Sequence, residues 1–146
     1  MQLSDLYQTR LLELNRAPLN FGVLASYTHT ARGEDALCGD DVLVQLVVDA
    51  EARIEQAAWS GHACAVTSAS ASLLTDWLVG KPVARVADGM ADFKRLLDGH
   101  DGTGLDLGEL TLLAAVRHFP SRVNNALLPW RTVLEALRQY PRHVKN

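Results

Sequence analysis

The chain is poor in the residues that staple, bend or anchor proteins. Among its 146 residues are two cysteines, five prolines, three tryptophans, three tyrosines and three phenylalanines. Two cysteines make no disulfide framework, and none is needed, because a chain of this length can bury roughly 70% of the surface its unfolded form exposes. Met1-Gln2-Leu3-Ser4-Asp5 lacks the basic region and apolar run of a signal peptide. The longest apolar runs, such as Val42 to Val48, are far too short to cross a bilayer. Positive charge is also lacking: the formal net charge is -3, which argues against a nucleic-acid surface. There is no repeat and no low-complexity tract. These absences lead to the expectation of one domain over residues 1–146, cytoplasmic and away from membranes. With 48% hydrophobic and 21% charged residues, the composition is that of a soluble globular chain. In a reducing compartment the two cysteines are expected to be free or metal-bound.

What is present reads as a mixed fold. Ser4 or Asp5 can cap a first helix to about Asn15, with Leu6, Tyr7, Leu11 and Leu14 at helical spacing. Pro18, Asn20 and Gly22 end it. Tyr27 to Thr30 fits a short strand, and Gly33-Glu34-Asp35 a turn. Val42, Val44, Leu46 and Val48 alternate with Leu43, Gln45, Val47 and Asp49, the signature of a strand. Ala50 to Arg53 then makes a hairpin connection to an antiparallel return over Ile54 to Ser60. After Gly61 the period becomes helical, with Val66, Ala69 or Ser70, Leu73 and Trp77 on one stripe and Gly80-Lys81-Pro82 as its stop. Further helices are expected over Val83 to Leu97 and Leu107 to Val116, separated by a glycine-rich loop. Pro120 suits the first turn of a last helix with the stripe Val123, Leu127, Trp130, Leu134 and Leu137. Pro129 inside it should kink or interrupt that helix, at a cost of about 3 kcal/mol. The sum is a small antiparallel meander with one face covered by helices.

The two cysteines stand in unusual company. Cys38 precedes a strand in a loop with Gly39, and Asp40 follows two residues on. A turn at Gly39 can bring thiolate and carboxylate toward one ion, and zinc accepts both; an ordinary half-buried cysteine beside a turn fits the same residues. Cys64 lies between a strand and a helix, where unpaired N–H groups and the positive helix end favour the thiolate. Tight packing among Gly61, Ala63 and Ala65 explains that position equally well. His62, His100, His118 and His143 lack the paired spacing of zinc fingers or zincins, although His62 stands only two residues from Cys64. No convincing general base accompanies the cysteines, which argues against a zinc hydrolase.

Together these segments resemble the NifU/IscU/SufU family of iron–sulfur cluster assembly proteins, and most of all its SufU-like branch. Leu6-Tyr7 through Pro18, Asn20 and Gly22 is similar to the opening helix and turn, and Cys38-Gly39-Asp40 to the first ligand motif. The run from Gly61 through Cys64 to Thr75 is similar to the second motif almost throughout. Leu107-Gly108-Glu109-Leu110, Val116 to Arg122 and Trp130 are similar to the third region. The length between Cys64 and Asn125 suits the SufU branch.

The resemblance implies an α+β domain of the SufE/NifU-like fold, a small three-stranded antiparallel sheet packed against helices. It implies zinc or an iron–sulfur cluster as cofactor, with Cys38, Asp40 and Cys64 as metal ligands. It further implies Cys38 as acceptor of persulfide sulfur, and a cysteine desulfurase or another assembly protein as partner. Such a chain is a scaffold or sulfur acceptor rather than an enzyme, with a sulfur-transfer role open. Four departures stand out. Asn125 occupies the place of a third cysteine, Asp35-Ala36 that of an Asn-Pro, Leu14 that of a histidine, and Pro129 enters the last helix. An amide oxygen is a neutral, hard donor, ill matched to a borderline-soft ion, so the metal site is expected to be degenerate. A relative that binds partners without handling metal or sulfur is the alternative.

Overall fold

A computed structural model describes residues 3–139 and 144–145; His143 lies outside them. The described residues form four α-helices, α1 (Leu3–Arg16), α2 (Ala65–Leu78), α3 (Ala84–Leu97) and α4 (Pro120–Arg138), and one 3-10 helix, Gly108–His118. The strands are β1 (Ser26–Tyr27), β2 (His29–Asp35), β3 (Asp40–Val48), β4 (Ile54–His62) and β5 (Val144–Lys145). The main sheet has the order β2-β3-β4, antiparallel throughout, and β1 pairs separately with β5. The fold is therefore the expected α+β meander with helices against it. Among the described residues no helix is long and apolar enough to cross a membrane.

The alternation in β3 does what its period dictates. Val42, Val44 and Leu46 are buried against the helices. Gln45, on the opposite face, is also buried, because residues 19–24 run alongside β4 and cover it. Its Oε1 accepts the Leu24 N–H at 2.8 Å, and the Trp59 indole N–H donates to the Leu19 carbonyl at 2.9 Å. The β3–β4 connection is held by Asp49, whose carboxylate accepts the N–H groups of Glu51 and Arg53 at 2.9 Å each.

Two expectations on local structure are corrected. Gly33-Glu34-Asp35 is strand, not turn: Gly33 pairs with Val42, and the turn occupies residues 36–39. The glycine is there because α4 crosses closely; a Cβ at Gly33 would run into the Thr132 hydroxyl. The positive φ of 72° that marks this turn belongs to Gly39. Pro129 does not interrupt α4, which continues from Pro120 to Arg138. The carbonyl of Asn125, deprived of its i+4 donor by the proline, faces the Thr67 hydroxyl at 3.3 Å.

The helical stripes hold in part. In α1 Leu14 is fully buried, but Leu6 is 43% exposed. In α4 Leu127 and Trp130 are buried, whereas Val123, Leu134 and Leu137 only pack at the margin. Residues Ala126, Val133 and Ala136 take their place, because α4 is packed against both the sheet and α2. Trp130 stacks on Phe93 with ring centroids 5.5 Å apart and meets Trp77 at 5.4 Å, tying α3 and α2 to α4.

His29, at the start of β2, is buried, and burial holds its imidazole below its ordinary pKa. The unfolded chain gains a proton below about pH 6.5 that the native state resists, so stability is full above that value and falls as pH drops below it. We expect His29→Gln to flatten this slope between about pH 7.5 and about pH 5 in urea titrations. Equal losses in the two proteins would show that His29 is not responsible.

Candidate functional site

Antiparallel pairing determines where the candidate residues meet. The β2–β3 turn and the end of β4 lie at one edge of the sheet, with Asp41 opposite His62. Cys38 sits in the turn and Asp40 opens β3; Cys64 caps the N-terminus of α2 two residues beyond β4. The turn is braced by the Gly39 N–H on the Asp35 carbonyl at 2.8 Å. Into this edge α4 delivers Asn125, which is wholly buried.

Asp40 is the hub. It is only 3% exposed, and three donors from two other elements converge on it. The Cys64 backbone N–H donates to Oδ1 at 2.7 Å. The Thr67 hydroxyl at 2.6 Å and the Asn125 Nδ2 at 2.8 Å donate to Oδ2. Burial by itself raises the carboxyl pKa; the bonds from Thr67, the Cys64 N–H and Asn125 outweigh it and hold the pKa below its ordinary value. A carboxylate cannot donate, so the amide of Asn125 must turn its nitrogen to Asp40 and its oxygen outward. That oxygen lies 3.9 Å from the Cys38 sulfur. Thr67 has one proton, and its shortest contact is Asp40. The Cys64 thiol, 3.3 Å from the Thr67 oxygen, is then the donor of that pair.

The two thiols differ in access. Cys38 is exposed and opens on a cleft of about 440 Å³ lined by Glu34, Leu37, Asn124 and Arg131 among others; Cys64 is half-buried. Cys38, Asp40 and Cys64 thus come to one edge, joined through Asn125 and Thr67. Of the histidines, His62 is exposed and faces a different cleft beside Phe21 and Trp59. The His100 ring accepts the Gly102 N–H at 2.9 Å, and His118 is exposed.

The donor set fits a zinc ion or a cluster poorly. Both lone pairs of Asp40 Oδ2 and one of Oδ1 already accept hydrogen bonds. Asn125 presents nitrogen, not oxygen, to the carboxylate. Among the described residues, no group of three or more His, Cys, Asp or Glu is placed to hold an ion.

Sequence reasoning missed Thr67, and read Ser70 only as a possible stripe position and not as a hydrogen-bond donor. The Ser70 hydroxyl donates to the Ala126 carbonyl at 2.6 Å, and Ser72 Oγ accepts the Leu19 N–H at 3.1 Å. The legible signal was the run of small polar residues on a helix whose buried positions include Thr67, Ser70, Ser72 and Thr75. Small side chains let α4 approach, and their hydroxyls satisfy what the approach buries.

Residues 6–126 match the NifU-like N terminal domain, and the chain belongs to that family. It is 30% identical over 140 residues to the iron-sulfur cluster assembly scaffold protein IscU of Streptococcus pyogenes, covering 94% of this chain and 86% of that protein. It is 27% identical over 132 residues to the zinc-dependent sulfurtransferase SufU of Bacillus subtilis, covering 90% and 88%. Its fold is that of a nitrogen-fixing NifU-like protein (N-terminal) from Brucella abortus, with a TM-score of 0.80, 24% identity and coverage of 94% and 96%. The chain and its fold thus belong to a family of iron–sulfur cluster assembly scaffolds.

Proposed function

We propose that this chain works in iron–sulfur cluster assembly as a sulfur acceptor, with Cys38 as the accepting thiol and Cys38, Asp40 and Cys64 as a degenerate ion site. The observation that carries the reading is the contrast in access. Cys38 is exposed on a turn that opens to a cleft, while Asp40 and Asn125 are buried and bonded to each other. Sulfur exchange depends on the reach of the attacking thiolate as much as on its ionisation. A partner, by this reading a cysteine desulfurase, presents a persulfide. The Cys38 thiolate attacks its outer sulfur, the persulfide S–S bond breaks, and the partner's thiolate leaves. Cys38 then carries the persulfide, and the proton it gave up on ionising goes to solvent.

Incubation with a matching desulfurase and cysteine, followed by mass spectrometry, tests this. The native chain and Cys64→Ser should each gain one sulfur atom, and Cys38→Ser none. Loading at Cys64 alone counts against Cys38 as the acceptor, and no loading at all favours the alternative of a partner-binding relative without sulfur chemistry. The saturated hydrogen bonds of Asp40 are the observation on that side.

A further inference from the structure

Asp40, Thr67 and Asn125 form a buried polar cluster that sulfur acceptance at Cys38 does not require. We infer that Asn125 takes over the mechanical part an ion would play here: with Thr67 and the Cys64 N–H, its amide fastens the start of α2 and α4 to one carboxylate on β3 and closes the fold without metal. The inference rests on the reading above only for the location of the degenerate ion site.

The distances carry it. Asp40 opens β3, Cys64 and Thr67 start α2, and Asn125 lies in α4, 85 residues from Asp40 in sequence. All three bonds fall between 2.6 and 2.8 Å, the short range of charge-assisted contacts. A buried carboxylate is costly unless it is paired or hydrogen-bonded. No cation meets Asp40 among the described residues; the neighbouring Arg32 is spent on Asp41 instead. The three donors are thus what makes its burial tolerable. In an ion-closed site those same lone pairs would face the ion. Here both pairs of Oδ2 face an O–H and an N–H, so an entering cation must first expel Asn125 or Thr67. Two further contacts of the cluster point inward too: the Cys64 thiol donates to Thr67, and the Asn125 backbone carbonyl, freed by Pro129, lies against the same hydroxyl. A cation that does not bind the native state adds nothing to its stability, because stabilisation by a ligand scales with its occupancy.

Thermal unfolding of the reduced full chain, in chelator and in excess zinc, is the test. The native chain should melt within about 1 °C of the same temperature in both, as linkage requires of a non-ligand. Asn125→Ala should melt about 3–10 °C lower in both, the loss expected when a buried charged group is deprived of a hydrogen bond. The double variant with Asp40→Ala should lose no more than Asp40→Ala alone, since the two residues act as a pair. Zinc raising the native melting temperature by more than about 3 °C overturns the inference, as does Asn125→Ala melting with the native chain in chelator. If Asn125→Ala does not fold, the native pair of scans decides alone. Sulfur loading of Cys38 in the same samples separates the two claims. A zinc-indifferent chain that takes no sulfur overturns the functional reading and leaves the clasp standing.

Discussion

Asn125→Cys should bind zinc more tightly than the native chain, by more than the roughly 10–100-fold that an outer-shell partner of a metal is worth. The substitution acts twice. It replaces a neutral amide with a thiolate, the donor that zinc prefers, and it removes the N–H that occupies Asp40 Oδ2. Because α4 runs unbroken through Pro129, residue 125 keeps its place between Cys38 and Asp40. Without zinc the variant offers the buried Asp40 only a weak S–H donor in place of the amide N–H, so it should also be less stable than the native chain in chelator. Competition with a chromogenic chelator at neutral pH measures the affinities. Equal affinities, both weak or both tight, would mean that Asn125 does not govern the site.

Gly61→Ala should destabilise the fold by about 2–5 kcal/mol, a large loss for one methyl group. Gly61 has a φ of 131°, a region that only glycine enters readily, and it pairs with Val42 in the sheet. A Cβ there would overlap the Asp41 carbonyl oxygen, which is backbone and cannot swing aside. The strand must shift, and the shift passes to Cys64, three residues on, whose N–H is held by Asp40. Urea titration measures the loss. A variant within about 0.5 kcal/mol of native, the range of an ordinary surface change, would contradict this account. Gly39→Ala is the contrast: its φ is also positive, but nothing crowds its Cβ, so only the backbone preference is lost.

Much of this architecture was legible from residue order. The alternation across Val42 to Val48 and the hairpin at Ala50 to Arg53 gave the sheet, and helical spacing gave α1, α2 and α3. Local rules failed where a distant element sets the environment. Gly33 looks like punctuation, yet it answers to Thr132, some hundred positions along the chain. The stripe in α4 was centred wrongly because that helix packs on two sides, and small residues such as Ala126 and Ala136 make contact without hydrophobic bulk. At the site, Cys38, Asp40 and Cys64 stand in short motifs that advertise themselves. Thr67 does not, since a threonine inside a serine- and alanine-rich helix reads as filler until the partner of its hydroxyl is seen. Asn125 was legible as an oddity, but its bond to Asp40 required the fold.

The separation of Asp40 from its donors also sets an order of events during folding. The turn that carries Cys38 closes with the β2–β3 hairpin, a contact among near neighbours. The donors of α2 arrive 24 and 27 positions later, and that of Asn125 only after 85. Closing the longest of these loops carries the largest entropic cost. A chain growing from its N-terminus therefore displays the Cys38 thiol well before the carboxylate beside it is sheltered. The Cys38 thiol is the early product of folding and the sealed edge behind it the late one.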